Sequence, residues 1–276
     1  MKDHIRKILR LILLAVFVVS TLLLLRQWKD NADGAAAYQD AMAIAMQKTE
    51  SAVPEVTEAP EVPEETVPVV YVWEPAQIEA DSVMEEMSGI NLAALREVNP
   101  EVVGWIRIPG TQIDYPMMQG EDNEFYLKNT WQKEPNSVGS IFLEHLSNPD
   151  MTDYNTIVYG HNMKNGAMFG DLDLFSLPTF WKEHPYVYIL TDAGVWRYEI
   201  FAFCQPEVES LTYGLNPQRP DTKEKFLNLS LENAWYDTGI VPPITDRILT
   251  LPTGSGGGYS HRFVGQARLP MVKVIK

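Results

Sequence analysis

The pattern of hydrophobic and polar positions divides the chain into three unequal parts. The first is an apolar run, "LILLAVFVVSTLLLL", from Leu11 to Leu25, with no charge in it. Counted from Ile8, with Arg10 reaching back toward the headgroups, it approaches the ~20 residues a helix needs to cross a bilayer. The second part, residues 31–79, carries little that could pack. Its stretch "ESAVPEVTEAPEVPEETVPVV" is built from Pro, Glu and Val, a composition that predicts a stiff, extended spacer. The third part, residues 80–276, reads as one domain. Ser82 with Glu85 three residues on has the capping-box spacing of a helix start. Leu92, Leu95 and Val98 then repeat at helical spacing and stop at Asn99-Pro100. Eight short β-rich segments follow, separated by turn signals: "VVGWIRIPG", "QIDYPMMQ", "GSIFLEH", "NTIVYGH", "YVYILTD", "WRYEIFAFC", "RILTL" and "RFVGQARL". Their spacing predicts a barrel or sandwich. One later helix is expected from Thr222 to about Ala234, with Phe226 and Leu229 on one side.

Composition adds a core and an uneven charge. Hydrophobic residues make up 45% of the chain and aromatics 11%, enough to fill a β domain. The formal charge is −15, yet eleven acidic residues and no Lys or Arg lie between Glu50 and Glu86. Most of the negative charge therefore belongs to the spacer. No basic patch points to nucleic acid. Cys204 is the one cysteine, so an intramolecular disulfide and a cysteine-based zinc site are both excluded. His4, His145, His161, His184 and His261 never pair at the spacing of a helical metal motif, and no metal or other cofactor is expected.

Lys2, Arg6, Lys7 and Arg10 precede the apolar run, which places the N-terminus inside the cell and makes residues 1–30 a cytoplasmic basic segment plus a single-pass anchor. The alternative is a cleaved signal peptide, for which "GAAAYQDAMA" offers small residues. "RQWKD" separates those alanines from the apolar run and favours the anchor. Either way the domain lies outside the cytoplasm.

Candidate chemistry concentrates in two places. "TLPTGSGGGYSHRF", Thr250 to Phe263, has one strand entering, a glycine-rich loop and one strand leaving, with Arg262 at the exit. His161, in "YGHNM", follows another strand. Together with "NPEVVGWIRIPGTQIDYPMMQGEDNEFYL" and "GSIFLEH…NTIVYGHNMKNGAMFGDLDLF", these stretches resemble the sortases, class B in particular, over about Asn91 to Lys276.

The resemblance implies an eight-stranded sortase β-barrel with peripheral helices. It also implies a reaction: a cysteine attacks a sorting-signal peptide bond, and an amine resolves the thioester. The implied partners are sorting-signal peptides of surface proteins, a cell-wall precursor or pilin amine, and membrane lipid around the N-terminal helix at a bacterial cell membrane. His161 matches the family's histidine and Arg262 its arginine. The family pattern Thr-Leu-x-Thr-Cys appears here as Thr250-Leu251-Pro252-Thr253-Gly254, so Gly254 stands at the position of the nucleophile. Pro252 also departs from the small polar residue usual there, which bears on the shape of the groove.

The nucleophile must be a thiolate, and glycine offers no side chain. The expectation is a class B sortase-like protein that is catalytically deficient as written. The alternative is a non-enzymatic pseudo-sortase that binds sorting-signal peptides or partner sortases. Two substitute nucleophiles remain to be weighed, Ser255 beside the lost position and Cys204 in a strand. A third reading is a replaced cysteine, since Cys and Gly codons differ by one base. "LPTG" at Leu251–Gly254 looks like a sortase substrate motif, but no apolar span and basic tail follow it.

Overall fold

The computed structural model describes residues 2–47, 71–207, 217–254 and 262–275. In chain order the elements are α1 (Lys2–Ala45), β1 (Tyr71–Pro75), α2 (Ser82–Ser88), α3 (Leu92–Val98), β2 (Val102–Arg107), β3 (Asp114–Met118), β4 (Ile141–Leu143) and β5 (Asn155–Tyr159). They continue with α4 (Pro178–Glu183), β6 (Tyr186–Thr191), β7 (Gly194–Cys204), α5 (Pro220–Glu232), β8 (Arg247–Gly254), β9 (Arg262–Leu269) and β10 (Met271–Ile275).

The eight segments picked out by β-rich patterning are the eight strands of a closed barrel, ordered β2-β3-β4-β5-β8-β9-β7-β6. Closure removes the sandwich alternative and leaves no free edge. Two neighbouring pairs are parallel, β3 with β4 and β5 with β8; the others are antiparallel. Trp105, Tyr126, Trp131, Phe142 and Tyr198 are among the largest side chains fully buried in the core. A smaller apolar cluster lies under α5, where Phe226 and Leu227 meet Tyr154, Phe201, Ala202 and Ile248. The buried face of α5 is thus Phe226, Leu227 and Ser230, rotated from the expected Phe226 and Leu229.

The apolar run forms a helix that does not end with it. Among the described residues α1 supplies one helix long and apolar enough to cross a membrane, and Leu11, Leu14, Phe17 and Leu24 on it are exposed. Past Asp30 its character changes. Gly34, Ala37, Tyr38, Ala41 and Ala45 recur at three- and four-residue spacing and are buried against the barrel. A Cβ at Gly34 would lie 2.8 Å from Val138 Cγ2, so the close approach needs glycine there. The Tyr38 hydroxyl donates to the Gly139 carbonyl at 2.6 Å and lies 3.0 Å from Ser140 Oγ. Trp131 Nε1 donates to the Ala37 carbonyl at 2.7 Å.

This corrects the spacer expected over 31–79. Its first part is a docking helix, because a stripe of small residues lets two backbones pack closely. At the other end, β1 pairs antiparallel with β10, so ordered structure resumes before Ala80. The Pro/Glu-rich residues 48–70 lie outside the described residues.

The first short helix is capped by Asp81, one residue before the expected Ser82. Its carboxylate accepts from the Met84 N–H at 3.0 Å. Partial burial works to raise the Asp81 pKa, but the Met84 N–H, the Tyr188 hydroxyl and the Arg197 guanidinium outweigh it and hold the carboxyl below its usual value. A depressed carboxylate stabilises the fold above the ordinary carboxylate range, and that contribution is lost as pH falls through the folded value. The melting-temperature gap between the wild-type chain and Asp81→Asn, which keeps a capping oxygen, is expected to narrow below about pH 4. A gap that is constant through acid would remove Asp81 from the account.

Candidate active site

Register brings the candidate residues together. β5 and β8 run parallel with Asn155 opposite Ile248, Thr156 opposite Leu249 and Ile157 opposite Thr250. Carried four residues further, the same offset sets His161 level with Gly254. Two hydrogen bonds hold the chains together there. Thr253 Oγ1 donates to the Gly160 carbonyl at 2.7 Å, and Asn162 Nδ2 donates to the Gly254 carbonyl at 2.7 Å. On the other side of β8, Gly254 is paired with Arg262 of β9. His161, two residues past the end of β5, thus falls in a row with the paired Gly254 and Arg262 at the ends of three neighbouring strands, and each is partly exposed.

The imidazole is oriented by the barrel. His161 Nε2 lies 2.7 Å from the Leu127 carbonyl. A carbonyl only accepts, so Nε2 carries the proton and Nδ1 is the nitrogen left for proton exchange. The turn behind the ring is tight. Gly139 has φ +63°, and a Cβ on it would lie 2.8–2.9 Å from the Tyr126 carbonyl, His161 Cδ2 and the Leu127 carbonyl. The same Gly139 carbonyl is the one bonded by Tyr38 of α1.

Sequence reasoning missed two supports of this site. Asn162 bridges the site by reaching both the Gly254 carbonyl and Asp173, at 3.2 and 3.3 Å to the two carboxylate oxygens. Its place next to His161 in "YGHNM" was the available signal. The Leu127 carbonyl had none, because its role depends on a 3-10 turn at Phe125–Leu127.

Position 254 has room for a side chain. Its φ is not positive, and among the described residues a Cβ built there meets nothing nearer than Asn162 Cβ at 3.9 Å. Pro252 sits inside β8, opposite Val264, and the ladder to β9 continues through it to Gly254. It lies beyond the last paired position toward β5, Thr250, which is the kind of place where a sheet tolerates proline. The "LPTG" stretch is the end of a barrel strand, with Leu251 buried.

Of the substitute nucleophiles, Ser255 lies outside the described residues, as does His261. Cys204 ends β7 opposite Val264 of β9, fully buried, and burial pushes its thiol up to about 12. A thiol so raised is not a thiolate near neutral pH. Cys204 in the folded chain is expected to ignore a maleimide probe at about pH 7.5, below even the ordinary cysteine pKa, and to react fully after denaturation. Rapid labelling of the native protein would contradict its burial.

The family is decided by direct comparison. The sortase domain profile matches residues 106–269, more than half of the chain, and that span includes β3, β5, β8 and β9 with all three site positions. The chain belongs to the sortase family. Its homologues are of class B. Sortase B of Listeria monocytogenes is 35% identical over 165 residues, which cover 59% of this chain and 66% of that protein's own length, just under two thirds. The crystal structure of Clostridium perfringens sortase B is similar at TM-score 0.61 and 32% identity, covering 66% of this chain and all of that one. A Staphylococcus aureus sortase B–substrate complex matches at TM-score 0.61 and 25% identity, over 66% of this chain and 85% of that one. The barrel is thus the sortase barrel.

Proposed function

We propose that this chain is a class B sortase-type protein that holds sorting-signal peptides at the outer face of a bacterial membrane without forming an acyl intermediate. The observation that carries this reading is the row His161–Gly254–Arg262, two functional side chains flanking a position with space for a third and no atom there to react. In the family's reaction, sulfur bonds to the peptide carbonyl carbon, the carbon–nitrogen bond breaks, and the histidine delivers a proton to the leaving amine. Here Nδ1 of His161 is available for the proton step. The Arg262 fork suits a carbonyl oxygen or the oxyanion it becomes. Gly254 leaves the first bond without a partner. What remains is recognition.

The anchor reading is supported by the continuity of α1. Of the small residues at which a signal peptide could be cut, Gly34, Ala37 and Ala41 are buried where the helix docks on the barrel, while Ala35, Ala36 and Ala43 face outward from the same unbroken helix. The peptide-binding reading is tested by calorimetric titration of the full chain with sorting-signal peptides. Measurable affinity is expected, with Arg262→Ala weakening it by roughly tenfold, the scale of a lost hydrogen bond to a charged group. A wild-type chain that binds none of these peptides contradicts the reading.

A further inference from the structure

The junction between α1 and the barrel contains a recess of about 590 Å³ that the peptide site does not use. Its lining includes Leu23, Arg26, Asp30, Lys128, Asn136 and Ser137. The Asp30 carboxylate is engaged, accepting from the Ser137 N–H at 3.1 Å and from the Ser137 hydroxyl, while the Asp30 carbonyl accepts from Asn136 Nδ2 at 2.9 Å. These contacts fix the helix to the loop. The two cations are not so engaged. Neither the Arg26 nor the Lys128 side chain makes an ion pair or hydrogen bond with any described residue, and both are exposed. Two positive groups from different elements thus face one space, against a single carboxylate already taken by Ser137.

The height of the recess identifies its occupant. The apolar run ends at Leu25. At about 1.5 Å per residue, Arg26 lies roughly 1.5 Å and Asp30 roughly 7.5 Å beyond that end. The headgroup layer on each side of a bilayer is about 5–7 Å deep. The recess therefore spans the level of the lipid phosphates, with Leu23 at its apolar lip. We propose that it binds the phosphate of an outer-leaflet phospholipid between Arg26 and Lys128, so that a lipid headgroup wedges the barrel against its anchor helix. The proposal rests on α1 being a retained membrane anchor.

The test uses full-length protein in nanodiscs of equal phosphatidylglycerol and phosphatidylcholine, extracted into mild detergent and weighed by native mass spectrometry. Wild-type chain is expected to retain one phospholipid, enriched in phosphatidylglycerol. The double variant Arg26→Gln, Lys128→Gln is expected to lose that retention by roughly 25-fold, since each cation near an anionic surface is worth about fivefold. Lys29→Gln is the control, an exposed cation at the same height that does not line the recess; retention by it should match the wild type. Equal retention by the double variant, or an equal loss in the Lys29→Gln variant, overturns the site while leaving the anchor intact. Alkaline extraction of membranes from the expressing cells separates the two readings. Release of the chain into the soluble fraction overturns the anchor and the lipid site together.

Discussion

Gly254→Cys is expected to cleave sorting-signal peptides at least ~10³-fold faster than the unaltered chain, the usual cost of a missing nucleophile in a coupled catalytic set. Three features support so large a change from one atom pair. The position tolerates a side chain, with its Cβ at ordinary contact distance, 3.9 Å, from Asn162. The backbone is already pinned by the Asn162 bond to the Gly254 carbonyl. The imidazole across the row has its Nε2 proton committed to Leu127, which leaves Nδ1 toward exchange. Adding His161→Ala to the Gly254→Cys variant should return it to silence. A Gly254→Cys variant that binds peptide yet stays inert would mean that the groove around Pro252 has lost the geometry of catalysis as well as its thiol.

Tyr38→Ala is expected to destabilise the domain by ~3–5 kcal/mol, the range for truncating a buried aromatic side chain. Tyr38 stands edge-on to Tyr115 at 5.2 Å between ring centroids and bonds Gly139 and Ser140. Burial raises its hydroxyl well above the ordinary tyrosine value, so it remains a donor. Tyr38→Phe removes the hydrogen bonds alone and should cost about 0.5–1.5 kcal/mol. Both are read by urea unfolding of the full chain in detergent. An unchanged midpoint for Tyr38→Ala would show that residues 31–45 do not belong to the domain. In the Gly254→Cys background the same loss should lower turnover, because the turn that Tyr38 holds is the one packed behind His161.

The barrel strands were legible because each alternates or saturates with β-branched and aromatic residues and is closed by turn residues. The docking part of α1 was not. Its buried contact face is mostly glycine and alanine, which carry little hydrophobic signal, with Tyr38 among them and Met42 and Ile44 only partly buried at its margin. β1 and β10 were hidden for another reason. Each is five residues long and pairs with the other from opposite ends of the domain, so neither shows its partner locally. His161, Gly254 and Arg262 were singled out through the motif around each. That they share a row follows from the parallel β5–β8 register, a long-range property, and so does the role of Asn162.

Whether Gly254 leaves the site unable to acylate is read from the intact mass of the unaltered chain after incubation with a sorting-signal peptide and acid quenching. The mass of the free protein and no other is expected. A covalent acyl adduct on a chain whose residue 254 is still glycine, at whatever side chain it is mapped to, would contradict it.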